Sequence, residues 1–448
     1  MTFKIFLLWS FVLLGRPQDL ILAMQPLRPA LILTVLSVGS SYFGTKRHQL
    51  SSVFQRPETR KYILFYIIMI LGIPLAYHKR MAFDYIFITY FVNILFFLIF
   101  ILEVDSLKKL KTVFFIISLC SFFYSFFGIM KGTFYGGRFR IYGGMFDPND
   151  IAYVLVSLFP FCFYFILHRE GTLKRILAVI GIIASLLVIL YSGSRGGLLS
   201  LLAVVLFLLL TKSYKIRMSH KIIFVTAMIL IFFTIGDKIN INRFLTLTDI
   251  EGDYNVSAET GREQIWKRAF DLTLSNPVTG IGVDCFPMAI GYMRESLGLA
   301  PVWQQEHNSY IQVAVETGLI GFIVFMALVM RCFKVFSSVK RLKNTSKEIV
   351  EIKTMGSLIQ LGFIGHCVAA FFLTQAYSMF FTLFFALSAV LGRLQSLDQI
   401  PNANSQEPRV KTRDMLAQRE DAVRATVKPM TSADKGAFQY PSKPRRRG

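Results

Sequence analysis

Twelve apolar runs divide most of this chain, and an ordinary soluble domain does not accommodate them. Their approximate limits are 2–15, 27–43, 61–77, 83–101, 112–130, 151–168, 174–191, 196–211, 220–236, 309–330, 357–373 and 376–392. A straight helix needs about 20 apolar residues to cross the hydrocarbon core of a bilayer, so several runs are short and the first is the weakest. With 54% hydrophobic residues and 44 phenylalanines among 448 residues, the composition fits stacked membrane spans. The expected fold is an all-α polytopic membrane protein of about twelve transmembrane helices with one long outward loop. Pro74 and Pro160 fall inside runs and are expected to kink them.

The formal charge of +22 resides largely in short loops between the runs. Basic residues follow the second run (Lys46, Arg47, Arg56), the fourth (Lys108, Lys109, Lys111), the sixth (Arg169, Lys174, Arg175), the eighth (Lys212, Lys215, Arg217) and the tenth (Arg331, Lys334, Lys340). That alternation is the positive-inside pattern, so both termini are expected in the cytoplasm and no nucleic-acid partner is implied. It also supports the weak first span, which lacks a small-x-small cleavage site and reads as retained. The resulting organisation is 1–236 for spans one to nine, 237–308 for the long outward loop, 309–392 for spans ten to twelve, and 393–448 for a disordered cytoplasmic tail. The five cysteines are scattered and indicate neither disulfides nor zinc.

Polar groups gather where the outward loops meet the spans. In Trp303–Gly321, His307 and Asn308 stand at the entry to an apolar helix, and Asn308, Gln312 and Glu316 recur every four residues along one stripe. A carboxylate facing lipid is costly, so Glu316 must face protein or a wet cavity. His307 has two readings, a satisfied structural histidine or an imidazole that takes a proton from a sugar hydroxyl. His366 is mid-span and reads as a buried helix contact. Gly193–Gly197 surrounds Arg195 with glycines. It is either a tight turn with a snorkelling arginine or a guanidinium facing an anionic headgroup, for which a planar fork is well suited. Arg262 opens an amphipathic helix, with Ile265, Trp266, Ala269, Phe270 and Leu272 on one stripe, that closes at Asn276-Pro277. Asp147–Asp150 reads as a turn capped by Asn149 or Asp150. Arg138, Arg140 and Tyr142, interleaved with glycines, suit phosphate or sugar contacts.

The segments EHNSYIQVAVETGLIG (306–321), YSGSRGGLL (191–199), GREQIW (261–266) and NPVTGIGVDCF (276–286) resemble the O-antigen ligase/polymerase family of bacterial inner-membrane proteins. With the span pattern, the resemblance extends over about residues 1–392. It implies a membrane glycosyltransferase of the polyprenol-dependent kind, taking a glycan from undecaprenyl diphosphate on the periplasmic side and passing it to an acceptor hydroxyl. It further implies a metal-independent, cofactor-free reaction with inversion at the sugar. Arg195 and Arg262 match the family's essential arginines and His307 its proposed base, while Arg138 and Arg140 match less closely. Tyr142, Asn308, Tyr310 and Glu316 complete the expected substrate contacts.

The residues agree with that implication. A departing diphosphate needs a metal ion or fixed cations. The first outward loop carries only Asp19, with no carboxylate pair, which leaves the outward arginines to neutralise the charge. The expected function is therefore glycan transfer or polymerisation in surface polysaccharide assembly, as in lipopolysaccharide. The acceptor would be a glycan, lipid A core or protein, and the surroundings membrane lipids. The alternative is a polysaccharide or lipid-linked sugar transporter (a flippase), which should show charged or broken helices near the midplane and often internal repeats. A non-catalytic assembly partner is a third reading.

Overall fold

The computed structural model describes residues 2–44, 49–135, 138–141, 147–168, 170–211, 216–236, 261–343 and 346–397. Tyr142, residues 237–260 of the long loop, and the tail from residue 398 onward lie outside them. Each apolar run coincides with a helix. These are α1 (Thr2–Gly15), α2 (Pro29–Tyr42), α3 (Pro57–Gly72), α4 (Lys79–Glu103), α5 (Leu107–Lys131), α6 (Pro148–Leu167), α7 (Thr172–Tyr191), α8 (Arg195–Leu210) and α9 (Met218–Ile235). After the two helices described in the long loop, α10 (Arg262–Ser275) and α11 (Phe286–Ser296), come α12 (Ser309–Val339), α13 (Lys347–Ala370) and α14 (Met379–Leu397).

By length and composition, six of these (α4, α5, α6, α7, α9 and α12) are long and apolar enough to cross a membrane. The chain is an all-α, multi-pass membrane protein, apart from one small antiparallel pair of strands among the described residues. In that pair β1 (Thr133–Tyr135) meets β2 (Arg138–Arg140), with Phe134 opposite Phe139. No strand was expected here. Alternation turns Phe139 inward against Tyr191 while Arg138 and Arg140 share the other face.

Two boundaries differ from expectation, each for a local reason. Helix α12 continues past Met330 to Val339, because Arg331 is held by buried Glu58 of α3 at 2.6 Å. Pro74 ends a helix instead of kinking it: α3 stops at Gly72 and a 3-10 turn, Ile73–Leu75, follows. Pro160 stays within the continuous α6.

Helix α6 is the central one, buried from Ile151 to Cys162 and packed against α5, α7, α8 and α13. Small residues on α13 allow the closest approach, since a Cβ at Gly362 would lie 2.5 Å from the Ser157 carbonyl oxygen. His366, one turn on, is the buried helix contact expected of it, bonded to Ser157 Oγ (3.0 Å) and Tyr153 Oη (3.2 Å). Successive helices run up and down. One end of the bundle gathers the cations, with Lys111 bridging to Glu170 and Glu351 and Lys109 to Asp105. At the other end α6, α8, α12 and α14 begin and α13 finishes, and there the singled-out residues lie.

Candidate active site

The helix carrying the polar stripe is broken. Within α12, Gly318 adopts φ 69 and ψ 180, a left-handed position that favours glycine. The freed backbone groups are satisfied by the segment after α10. The N–H groups of Ile281 and Gly282 donate to the carbonyls of Val315 (2.9 Å) and Glu316 (3.0 Å), and Leu319 N–H donates to the Pro277 carbonyl (2.8 Å). Gly280 and Gly282 are the turn residues expected, both at positive φ. Non-helical backbone at such a place is tolerated when protein fills it. This insertion anchors the long loop to the start of α12.

His307 sits just before that start, itself in a left-handed conformation (φ 50), a strained position for a non-glycine residue. Its backbone N–H donates to Thr374 Oγ1 at 2.8 Å. Helix α10 brings Arg262 to it. One turn along, the Trp266 indole N–H donates to the Glu306 carbonyl (2.9 Å) and its ring meets Phe371 edge-on. Burial lowers the His307 imidazole below its ordinary value and the Arg262 charge lowers it further, against an opposite pull from Asp147. His307 is therefore neutral near pH 7, the form that accepts a proton.

The segment Phe371–Ser378, between α13 and α14, ties the site together. Besides Thr374, the Ser309 hydroxyl donates to the Leu373 carbonyl and accepts from Gln375 N–H. The Gln375 side chain reaches Asp150 (3.0 Å), and Ala376 N–H donates to Gln312 Oε1 (3.0 Å). Arg195 opens α8 beside it: Ser194 caps the helix by accepting from Gly197 N–H, and Gly196 lies against the Phe372 ring. Sequence reasoning missed this segment, whose phenylalanines read as the end of the eleventh span.

Around this centre the other candidates divide. Arg138 bonds Asn149 Oδ1 (2.9 Å) and the Ser192 carbonyl (3.3 Å), joining the strand pair to the Gly193–Gly197 turn. Arg140 is exposed on the same strand. The cap of α6 is Asp147, not Asn149 or Asp150, because Pro148 occupies the first helical position and the cap falls on the residue before it. Asn308 Oδ1 caps α12, accepting from the N–H groups of Tyr310 and Ile311, and the Tyr310 hydroxyl donates to the Cys367 carbonyl (2.9 Å). Among the described residues no group of three His, Cys, Asp or Glu side chains could hold a metal ion.

Glu316 is not among the charges that act on His307. It is 2% exposed and lies against Glu306, Asp284 and Tyr377. Among the described residues neither Glu306 carboxylate oxygen has a hydrogen-bond partner, although the residue is 1% exposed. Burial pushes the Glu306 carboxyl up to about 8, and the Asp284 charge adds to the rise. Asp284, held at φ 62, is pushed up to about 6 by burial. A carboxyl near 4.3 when unfolded and near 8 when folded binds more protons in the folded state. Stability therefore falls as pH rises through that window. Thermal melts of the full chain in detergent should show a midpoint dropping between about pH 4.5 and pH 8, and Glu306→Gln should flatten the drop and melt higher at the alkaline end. An unchanged slope in the variant would show that Glu306 is not the group responsible.

Residues 180–326 match the model of a family described as O-antigen ligase. Over this stretch the chain is similar to the O-antigen ligase family. The O-antigen ligase domain runs from within α7 to within α12 and contains Arg195, Arg262, His307, Asn308, Tyr310 and Glu316, while Arg138, Arg140 and Tyr142 precede it. No curated protein matches the chain. The O-antigen ligase domain and the membrane helices together give a multi-pass bacterial membrane protein with an O-antigen ligase-like function in polysaccharide assembly.

Proposed function

We propose that the chain is a glycosyltransferase that moves a glycan from undecaprenyl diphosphate to an acceptor hydroxyl, working as ligase or polymerase without a metal and with inversion at the sugar. The observation that carries this is the meeting of a neutral His307 with Arg262 at the end of the bundle opposite the lysine cluster. His307 takes the hydroxyl proton. Arg262 and Arg195 face the diphosphate, whose charge grows as the sugar leaves. Arg138 and Arg140 lie on the approach. In this reading the twelve helices all span the inner membrane, both termini are cytoplasmic, and the long loop and the site face the periplasm.

One observation speaks for the transporter instead, namely the broken helix at Gly318 with a carboxylate beside it. The gap is closed by Pro277–Gly282 through three backbone hydrogen bonds, so protein rather than cargo satisfies the broken backbone there. The full chain, reconstituted in vesicles with an undecaprenyl-diphosphate-linked glycan and an acceptor, is expected to transfer glycan in excess EDTA. Movement of intact donor across the bilayer without transfer would favour the transporter. Loss of transfer on chelation, restored by Mg²⁺ or Mn²⁺, would overturn metal independence and recast Asp147 and Asp150 as ligands.

A further inference from the structure

A second feature lies at the far end of the same helices. Between the ends of α6 and α8 and the starts of α7 and α9 is a cleft of about 420 Å³. Ile166, Ile182 and Phe224 are among its apolar walls, and Arg175, His220 and Lys221 supply its basic groups. Counting along α6 from Asn149 to Ile166, it is about 25 Å from the site around His307. The cleft exists because α9 stands off from the bundle, burying only Lys221, Phe224 and Ile235 of its residues.

The polar groups are arranged rather than scattered. The Lys221 ammonium, buried at the base of the mouth, donates to the carbonyls of Leu209 (2.8 Å) and Thr211 (2.7 Å), so it closes the end of α8. His220 Nδ1 accepts from Arg217 N–H (3.2 Å), which leaves Nε2 as a donor. Arg175 is exposed on the opposite wall. An apolar slot between spans with three nitrogen donors at its mouth matches one chemistry: acyl chains inside, a phosphate diester outside. From this we infer that the cleft is a binding site for an anionic diacyl phospholipid. A zwitterionic lipid would place its own ammonium among these cations. Basic pockets between spans take acidic headgroups for this reason. Only the choice of leaflet, the cytoplasmic one, rests on the topology proposed above.

The test is native mass spectrometry of the full chain, delipidated in detergent and offered an equimolar mixture of phosphatidylglycerol and phosphatidylethanolamine. Preferential retention of one phosphatidylglycerol is expected. Arg175→Gln, at an exposed position where folding is not at risk, should lower that retention about fivefold, the worth of one basic group near an acidic headgroup. Ala227→Trp, which fills the slot from α9, should lower retention of either lipid, while added inorganic phosphate should not compete. Equal retention of the two lipids, unchanged retention in Arg175→Gln, or competition by inorganic phosphate would each overturn the inference. Because retention is read without transfer, its failure is distinguishable from failure of the proposed activity.

Discussion

His307→Ala is expected to slow glycan transfer by roughly 10²–10⁴-fold, the usual contribution of a positioned general base. A sugar hydroxyl is a poor nucleophile at neutral pH, and the imidazole beside it has to be unprotonated before it can act. Burial first, and then Arg262, hold His307 below its ordinary value, so the base form prevails at pH 7. Wild-type transfer should therefore keep its rate down to a pH below about 6.5, the unperturbed histidine value, and then fall as the ring protonates. The backbone of His307 is pinned to Thr374 independently of its ring, so the alanine variant should retain the loop and bind donor almost normally. Donor affinity and single-turnover transfer, measured separately, check both halves. A folded, membrane-inserted His307→Ala that transfers at the wild-type rate would make His307 structural.

Hydropathy made the helices legible because burying a backbone in lipid leaves few choices, and the apolar runs carry that constraint along their whole length. Its errors fall where helices continue on charged residues. Arg331 and Lys334 read as loop, yet they lie on α12, since an ion pair with Glu58 keeps the helix packed beyond its apolar window. The break at Gly318 was illegible for another reason: ETGLIG has helical spacing, and no hydropathy pattern reports the sign of φ. Only the partner segment Pro277–Gly282, about forty residues away in sequence, reveals the gap by filling it.

The site was legible in part. The polar stripe Asn308, Gln312, Glu316 is buried in protein, and its members do different things. Asn308 caps a helix, Gln312 bonds Ala376, and Glu316 joins the carboxyl cluster. Trp266 read as one more apolar residue of α10, but its indole N–H is what fastens that helix to Glu306. Its neighbour Phe270 is 62% exposed, so the stripe divides between protein and the surroundings. Asp147 read as part of a turn, and nothing local tells that the same carboxylate acts on a histidine 160 residues later. Contacts of that range are set by how helices stack, which a single sequence does not state.

Arg262→Ala is expected to cut transfer about a hundredfold, on the order of 3 kcal/mol for removing a fixed cation beside developing charge. It should also leave a second mark that a merely structural arginine would not. Arg262 is a positive neighbour that depresses the His307 ring, so its removal lets that ring protonate at higher pH, and the acid limb of the transfer profile should move upward. Among the described residues, the charges that shift the His307 ring are Arg262 and Asp147, not Arg195. Arg195→Ala should weaken donor binding or transfer while leaving the acid limb in place. Lysine should restore the limb in Arg262→Lys, because the charge returns, but restore the rate only partly, because an ammonium lacks the planar fork that pairs with a diphosphate. Full pH–rate profiles of these variants, with donor affinity measured alongside, separate the two effects. An unmoved acid limb in Arg262→Ala would mean that the arginine and the histidine do not act on one another, and a normal rate would remove Arg262 from the reaction.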